Sequence, residues 1–450
     1  MTYHLMEHQK DALFYMECNP SLAVYAEMGL GKTAIALSFI LEGMRRSEFK
    51  NVIVVCPASL CPSWRQAIDD MILFDGVTPQ DVESLRTIYI TSFQKMYLNK
   101  KVPVIHRDGQ TTYKKSLTLR EEVDRHWDVM VVDESHCIGA HDSIQTRAAI
   151  TLSKLSDRIY LLSGTPFHGP GGRPAYDKMY GQFQVLTRGT KWKNWTQFCD
   201  EVVTSRDKWF KPRTFNEEKC EDIITQHSVT YRLTDCVDMP DRIEQEIPCP
   251  LEEKKVYEDI KVGNVMPYDI DIESGGGQYI KLLQICSGSL KRSADTIILK
   301  TAKDDVLADI LEGTDEPVVV FCNFRASVDR CAEVAKRVHR RPLTFDGRSK
   351  EGAWKGFTDG RYDTIVCQYQ SGGVGLNLQR SHIMVFYEPT LSSLLLEQAK
   401  GRIFRKGQEQ RCIYYYLTTP KTIEARVIAS VRKGVDVSND MLERFAHMDL

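Results

Sequence analysis

Eight residues, AEMGLGKT at positions 26–33, set Gly29 and Gly31 immediately ahead of Lys32 and Thr33. Glycines at that spacing let the main chain pass close to an anion and turn its N–H groups toward it. A lysine in the next position reaches the β- and γ-phosphates of a nucleotide, and a threonine hydroxyl holds Mg²⁺. Met28, Leu30 and Ala34 complete the backbone of such a cradle, with Ala26 where the first glycine usually stands. The alternative is a plain glycine turn between a strand and a helix. A nucleotide site alone does not say what its energy drives.

Other residues fit the same chemistry. VMVVDESHCI puts Asp133 and Glu134 at the end of an apolar strand, about one hundred residues beyond the glycine loop. Phosphoryl transfer from ATP needs one carboxylate for Mg²⁺ and another to orient or activate the attacking water; Asp133 suits the first task and Glu134 the second. In LLSGTPFHG, Ser163 and Thr165 are placed to sense a γ-phosphate, unless the segment is only a Gly-Pro turn with a helix cap. Gln9, in LMEHQKDAL, has the paired hydrogen-bonding groups that read an adenine edge. In EQAKGRIFRKGQ, Arg402 and Arg405 sit three apart, so on a helix they share a face. They would serve as arginine fingers, since the planar guanidinium grips phosphate bidentately. A basic surface helix is the plainer reading.

The elements that must position these residues alternate between apolar strands and helical patterns, the rhythm of an α/β fold. Strand candidates in the first stretch, 1–168, are SLAVY, NVIVVC, RTIYIT, DVMVVD and RIYLLSG. In the second, from about 300, they are PVVVFCN, PLTFDG, DTIVCQ, HIMVFYE and CIYYYLT. Between them, 169–235 is aromatic and charged without strand rhythm and reads as a helical insertion. Residues 250–295 also read as helical, apart from a flexible ESGGGQ at 273–278. One stretch, 99–123, has Asp108-Gly109 between alternating β-branched and polar residues, the mark of a hairpin. It is basic, with Lys114 and Lys115 among its cations, and is either a solvated surface hairpin or a contact for nucleic acid.

Composition sets bounds. The formal net charge of the 450 residues is −2, so any nucleic-acid binding must come from local basic patches. The thirteen cysteines form no C-x-x-C pair, which argues against a zinc ribbon, and they lie mostly in apolar runs that suit buried thiols in a reducing cytosol. No apolar stretch approaches the roughly 18 residues of a membrane span, and the N-terminus has no signal-peptide pattern. The expectation is a cytoplasmic protein with no membrane partner.

The motifs EHQ, AEMGLGKT, VVCPASLCPSW, DESH, LSGTP, VVVFCNF, SGGVGLNL and QAKGRIFRKGQ occur in that order. With them, nearly the whole chain resembles the superfamily-two helicases, and in detail the Swi/Snf-type DNA translocases. The resemblance implies two RecA-like parallel-sheet lobes with ATP and Mg²⁺ between them and DNA (duplex, single-stranded or forked) across their top. Lobe one would span 1–168 and lobe two 300–450, with the insertion at 169–235 and a link and second helical region at 236–299. Residue by residue, it assigns Gln9 to adenine, Gly29, Gly31, Lys32 and Thr33 to phosphates and metal, and Gly375 to the nucleotide. It makes Asp133 and Glu134 the metal and water residues and Arg402 and Arg405 the fingers. DNA backbone contacts carry over to Pro57, Ser59, Leu60, Thr91, Ser92, Asn323, Arg325, Gly372, Gly373 and Asn377. Gln368 departs from the family's serine, and AKGRIF from its acidic, histidine-bearing helix. Few extensions are present, which favours a minimal motor of a bacterial cell or phage-infected host, working in replication, recombination or repair with proteins of those pathways as further partners. An RNA helicase and an inactive ATP-binding scaffold are the competing functions.

Overall fold

The computed structural model describes residues 5–74, 76–105, 111–169, 174–207, 212–270, 275–292, 295–350, 352–372 and 376–447. The chain divides into two units, the first made of 1–168 and 174–237 and the second beginning at Asp238.

The first unit carries strands β1 (Ser21–Ala26), β2 (Val52–Cys56), β3 (Tyr89–Ser92), β4 (Tyr97–Ile105), β5 (Thr111–Leu119), β6 (Trp127–Asp133), β7 (Ser156–Ser163), β8 (Val203–Arg206), β9 (Pro212–Phe215) and β10 (Ser228–Tyr231). Six of them form one parallel sheet in the order β10-β1-β7-β6-β2-β3. Its central strands are unbroken apolar runs because parallel sheets are covered on both faces. Residues of alternate parity, Ile53 and Val55, Met130 and Val132, Ile159 and Leu161, pack one face with Trp127 and Phe183. The basic stretch does form an antiparallel hairpin, β4 with β5, from Tyr97↔Leu119 to Ile105↔Thr111. Its turn at 106–110 and the side chains of Lys114 and Lys115 lie outside the described residues.

The region expected to be a helical insertion differs from that reading. It holds the helices Met179–Leu186, Trp195–Val202 and Glu217–His227, but also the β8–β9 hairpin and β10. β10 pairs in parallel with β1 and becomes the sheet's edge. The next residues tie back to the glycine loop: Glu27 N donates to Tyr231 O at 3.0 Å, and Leu233 N donates to Glu27 Oε2 at 2.9 Å.

The second unit carries β11 (Arg242–Pro248), β12 (Ser289–Lys291), β13 (Thr296–Ile298), β14 (Val318–Cys322), β15 (Pro342–Phe345), β16 (Thr364–Gln368), β17 (Ile383–Phe386) and β18 (Cys412–Thr418). Its six-stranded parallel sheet runs β11-β18-β17-β14-β16-β15. Val319, Phe321, Ile365 and Phe386 face one core, and Val318, Val320, Val366 and Val385 face the other. Two expectations for 236–299 fail here. β11 belongs to this sheet, and a helix, Gly275–Cys286, begins inside the glycine run and is followed by the antiparallel β12–β13 hairpin. Lys303 and Glu424, both fully buried, are ion-paired at 2.5 Å and tie two of the flanking helices together.

Candidate functional site

In open parallel sheets, ligands bind beyond the carboxyl ends of the strands. In the first unit the carboxyl ends of three neighbouring strands, β1, β7 and β6, lead into the glycine loop, the Ser163–Thr165 turn and Asp133–Glu134. Three segments spread over more than a hundred residues of chain thus converge by sheet order alone.

The loop's shape follows from its glycines. Gly29 and Gly31 have φ of 90° and 77°, the left-handed region that glycine enters without a Cβ penalty. Gly31 then starts the helix Lys32–Arg45. Gln9 packs against it so closely that a Cβ on Gly31 would sit 2.4 Å from Gln9 Nε2. Gln9 is buried and engaged at both ends of its amide. Nε2 donates to Leu30 O at 3.1 Å, and Oε1 accepts from Met6 N at 3.0 Å. His8 Nε2 lies 3.0 Å from the same Leu30 carbonyl. Lys32 Nζ donates to Ala26 O at 2.8 Å, and a Cβ on Gly164 would come within 3.3 Å of that Nζ.

Asp133 is buried at the end of β6. Its Oδ2 accepts from Trp64 Nε1 and its Oδ1 from Glu134 N, each at 2.9 Å. Burial first, then the neighbouring Glu134 charge, push its carboxyl up to about 6, against the pull of Lys32 and the Trp64 hydrogen bond. Glu134 has φ 52° and ψ 52°, a left-handed conformation that a side chain rarely adopts and that concentrates at functional sites. His136 Nδ1 lies 3.2 Å from Glu134 Oε2 and 3.4 Å from Ser163 Oγ, and Ser163 Oγ accepts from Thr165 N at 3.2 Å. Burial opposes charge on His136, but hydrogen bonds to Cys137 and Glu134 outweigh it and lift the imidazole to about 9. Gln182, fully buried on the helix Met179–Leu186, fastens the two turns together. Its Oε1 accepts from Ser135 Oγ at 2.8 Å, and its Nε2 donates to Pro166 O at 2.9 Å. Gln182 carried no signal in the sequence, because its partner Ser135 lies 47 residues away; His136 and Trp64 close the motifs DESH and VVCPASLCPSW, but nothing in the sequence assigned either a role of its own.

The other strand ends of this sheet hold the remaining assigned residues. β2 leads into Pro57 and the 3-10 turn Ala58–Leu60, beside the end of β3 through the Cys56↔Ser92 pair. Ser59 is exposed, whereas Leu60, Thr91 and Ser92 are buried.

In the second unit, Asn323 and Arg325 follow β14, and Gln368 and Gly372 follow or end β16, its neighbour. Gln368 Nε2 donates to Asn323 O at 2.9 Å. Glu388, 1% exposed, accepts from Asn323 N and Phe324 N through Oε1, both at 2.7 Å, and from Ser327 Oγ at 3.0 Å through Oε2. Gly373 and Gly375 lie outside the described residues; Asn377 Oδ1 accepts from Gln379 N at 3.4 Å. Arg402 and Arg405 do not share a helical face as expected. Their helix, Ser393–Lys400, ends at Gly401, and both arginines follow in turns. The turns still bring them together, since Nη1 of each donates to Leu376 O at 3.3 Å. Burial lowers the pKa of Arg405. Among the described residues no helix is long and apolar enough to cross a membrane.

Comparison with known proteins adds a family. The profile of the SNF2-related domain matches residues 8–258, and that of the helicase conserved C-terminal domain matches 302–407. The chain is 23% identical to the human (Homo sapiens) "DNA annealing helicase and endonuclease ZRANB3" over 97% of its own length and 40% of the other's. It is also 23% identical to a "Probable global transactivator" of Orgyia pseudotsugata multicapsid polyhedrosis virus, over 98% of its own length and 92% of the other's. It therefore spans well under half of the first relative and most of the second. A solved Sulfolobus solfataricus SWI2/SNF2 ATPase core in complex with dsDNA aligns over 100% of this chain and 98% of that one, with 17% identity and a TM-score of 0.42.

Proposed function

The chain belongs to the SNF2-related family, and from that premise we propose that it is a DNA-dependent ATPase that moves along or remodels DNA, forked DNA included, in replication, recombination or repair. The observation that carries the reading is the convergence of Lys32, Asp133, Glu134 and Ser163 at three adjacent strand ends. Lys32 and the loop amides would meet the phosphates of ATP, and Gln9 the adenine. Thr33 and Asp133 would hold Mg²⁺, a hard cation suited to a hydroxyl and a carboxylate. Asp133 supports that fit, because a cation beside it relieves the buried charge that lifts its carboxyl to about 6. The bound ion supplies neutralisation of charge on the phosphates.

Glu134 takes the proton of the attacking water at a carboxylate oxygen. His136 orients that carboxylate from 3.2 Å and reaches Ser163, which relays the state of the terminal phosphate to the Thr165 turn. Arg402 and Arg405, gathered at the Leu376 carbonyl, would be the arginine fingers that add positive charge to a transferring phosphoryl group. Pro57, Ser59 and the Thr91–Ser92 strand end would meet the DNA backbone from the first unit, and Asn323, Arg325, Gly372 and Asn377 from the second.

The test is ATP hydrolysis by the parent and by Glu134→Gln with single-stranded, duplex and forked DNA and with RNA. DNA should stimulate the parent most, and Glu134→Gln should bind ATP yet turn over about 10²–10⁴-fold more slowly. Stronger stimulation by RNA would make RNA the substrate. ATP binding without turnover in the parent would make the protein a scaffold.

A further inference from the structure

A cavity of about 980 Å³ in the second unit lies among the helix Gly275–Cys286, the β12–β13 hairpin and the segment after β14. Lys281, Lys291, Arg292 and Arg325 line it, and no carboxylate does among the described residues. In a chain of net charge −2 this is a marked local excess. A concave surface of one sign focuses the field and raises the local concentration of the opposite ion.

The two lysines are fixed close to one another. Lys281 Nζ donates to the Lys291 carbonyl, and Lys291 N donates to Gln284 Oε1 at 3.1 Å, so one face of the helix is joined to β12. Burial first, and then the charge on Lys291, lower the pKa of Lys281. Arg292 is ion-paired with Asp295 at 2.6 Å. The floor is rigid, because Gln368 and Glu388 hold the Asn323–Phe324 backbone as described above. Glu388 is itself buried and occupied by three donors.

An adjoining cavity of about 960 Å³ shares Thr296, Arg325 and Ala326 but also has Asp304, Asp329 and Glu333 in its wall. The carboxylate-free surface therefore ends at Arg325. The cations come from a helix, a hairpin and a strand end around one groove, an arrangement that suits an extended polyanion. Phe324 and Ile280 between them offer apolar surface of the kind a sugar face covers.

We propose that this groove holds the phosphodiester backbone of a DNA strand, with Lys281 and Lys291 as phosphate contacts that extend the path from Asn323 and Arg325. The inference rests on the reading that the chain binds DNA. The helix Gly275–Cys286 and the β12–β13 hairpin are then part of the DNA-binding surface, as well as packing elements.

The experiment is fluorescence anisotropy of a labelled duplex against the full chain over a series of NaCl concentrations. Each duplex phosphate contact contributes about 0.9 to the slope of log K against log salt. Lys281→Gln/Lys291→Gln should flatten the slope by about 1.8 and weaken binding roughly 60-fold at 0.1 M salt. The single exposed change Lys291→Gln should flatten it by about 0.9. Lys281→Arg/Lys291→Arg should keep the parent's slope, and all variants should melt with the parent. If Lys291→Gln and the double variant bind with the parent's slope, the groove is not a DNA contact. If inorganic phosphate saturates the parent calorimetrically, is lost in the glutamine variant, and the DNA slope stays unchanged, the groove is a small-oxyanion site and the proposal is overturned. A parent that binds no DNA at any salt concentration removes the underlying reading as well, a result distinct from the other two.

Discussion

Replacing Gly31 with alanine should cost far more than its backbone conformation alone explains. At φ 77° a side chain costs about 1–2 kcal/mol, partly offset by roughly 0.4–1 kcal/mol from a less flexible unfolded chain. Gly76→Ala isolates that cost, since Gly76 has φ 90° and nothing within 4 Å of an added Cβ; about 1 kcal/mol is expected. At Gly31 the added Cβ would lie 2.4 Å from Gln9 Nε2, so the amide must move by about 1 Å to reach ordinary contact. Moving it breaks the bond to Leu30 O and the bond from Met6 N that closes the first turn of the helix Glu7–Cys18. Each is worth about 1 kcal/mol, so Gly31→Ala should lose about 3 kcal/mol. Gln9→Ala, which loses the same two bonds, should lose about 2 kcal/mol. The double variant should lose about 3 kcal/mol rather than the sum of about 5, because without Gln9 there is nothing left to displace. Urea unfolding followed by tryptophan emission reads mainly the first unit, which holds Trp64, Trp127, Trp192, Trp195 and Trp209, against Trp354 alone in the second. Additive losses in the double variant would refute the reasoning, since the demand for glycine at 31 would then not come from Gln9.

Lys303→Met should destabilise the second unit by about 3–5 kcal/mol by leaving Glu424 buried without its partner, and Lys303→Met/Glu424→Leu should recover most of that in urea unfolding. Arg45, hydrogen-bonded through Nε and Nη2, holds the Asp81 carboxyl down to about 2. The stability this pair contributes is present above the ordinary carboxylate value near 3.9 and lost as pH falls through about 2. Because Arg45 is 38% exposed, the pair is worth only about 1 kcal/mol, and Arg45→Gln should remove that share of the acid-dependent loss in pH-jump unfolding. Shortening 104–114 to a tight turn should leave ATP hydrolysis on simple DNA largely intact while reducing binding to forked DNA and its salt dependence; unchanged fork binding at every salt concentration would make β4–β5 a surface hairpin only.

Ten strands of the two large sheets were readable in the sequence: the eight interior ones, where continuous apolar runs such as VIVVC and VVVFC leave little ambiguity, and the edges β3 and β15. The two strands of these sheets that were not readable, β10 and β11, are the other two edges. β11 is exposed along most of its length, and β10 has four residues, so neither needs an apolar run. The helix Gly275–Cys286 runs against glycine's low propensity and is held by its packing, with Leu282, Leu283 and Cys286 in the core. In the glycine loop, residue types and local spacing carry the geometry, so the left-handed turns at Gly29 and Gly31 could be read directly. Arg402 and Arg405 were placed on a helix because their spacing allows it, but Gly401 ends that helix one residue earlier. Trp64 meets Asp133 across 69 residues and Glu388 meets Asn323 across 65, and only the order of strands in the sheets makes those neighbours.

Glu27 is the first residue of the glycine loop, and it is held at two points by the chain just before that chain leaves the first unit at Val237. Tyr231 is also tied to the helix Glu7–Cys18, since its hydroxyl donates to Asp11 Oδ2 at 2.7 Å, so Glu27 and that helix share any tension applied beyond the exit. The bond from Glu27 N lies in line with the β1–β10 ladder and is loaded in shear with it, while the bond to its carboxylate can yield separately. A pull on the exit would reach the loop as a displacement of its first residue, and a change in the loop would slacken or tighten the exit by the same route. That joint sets the chain's exit from the first unit within two hydrogen bonds of the glycine loop.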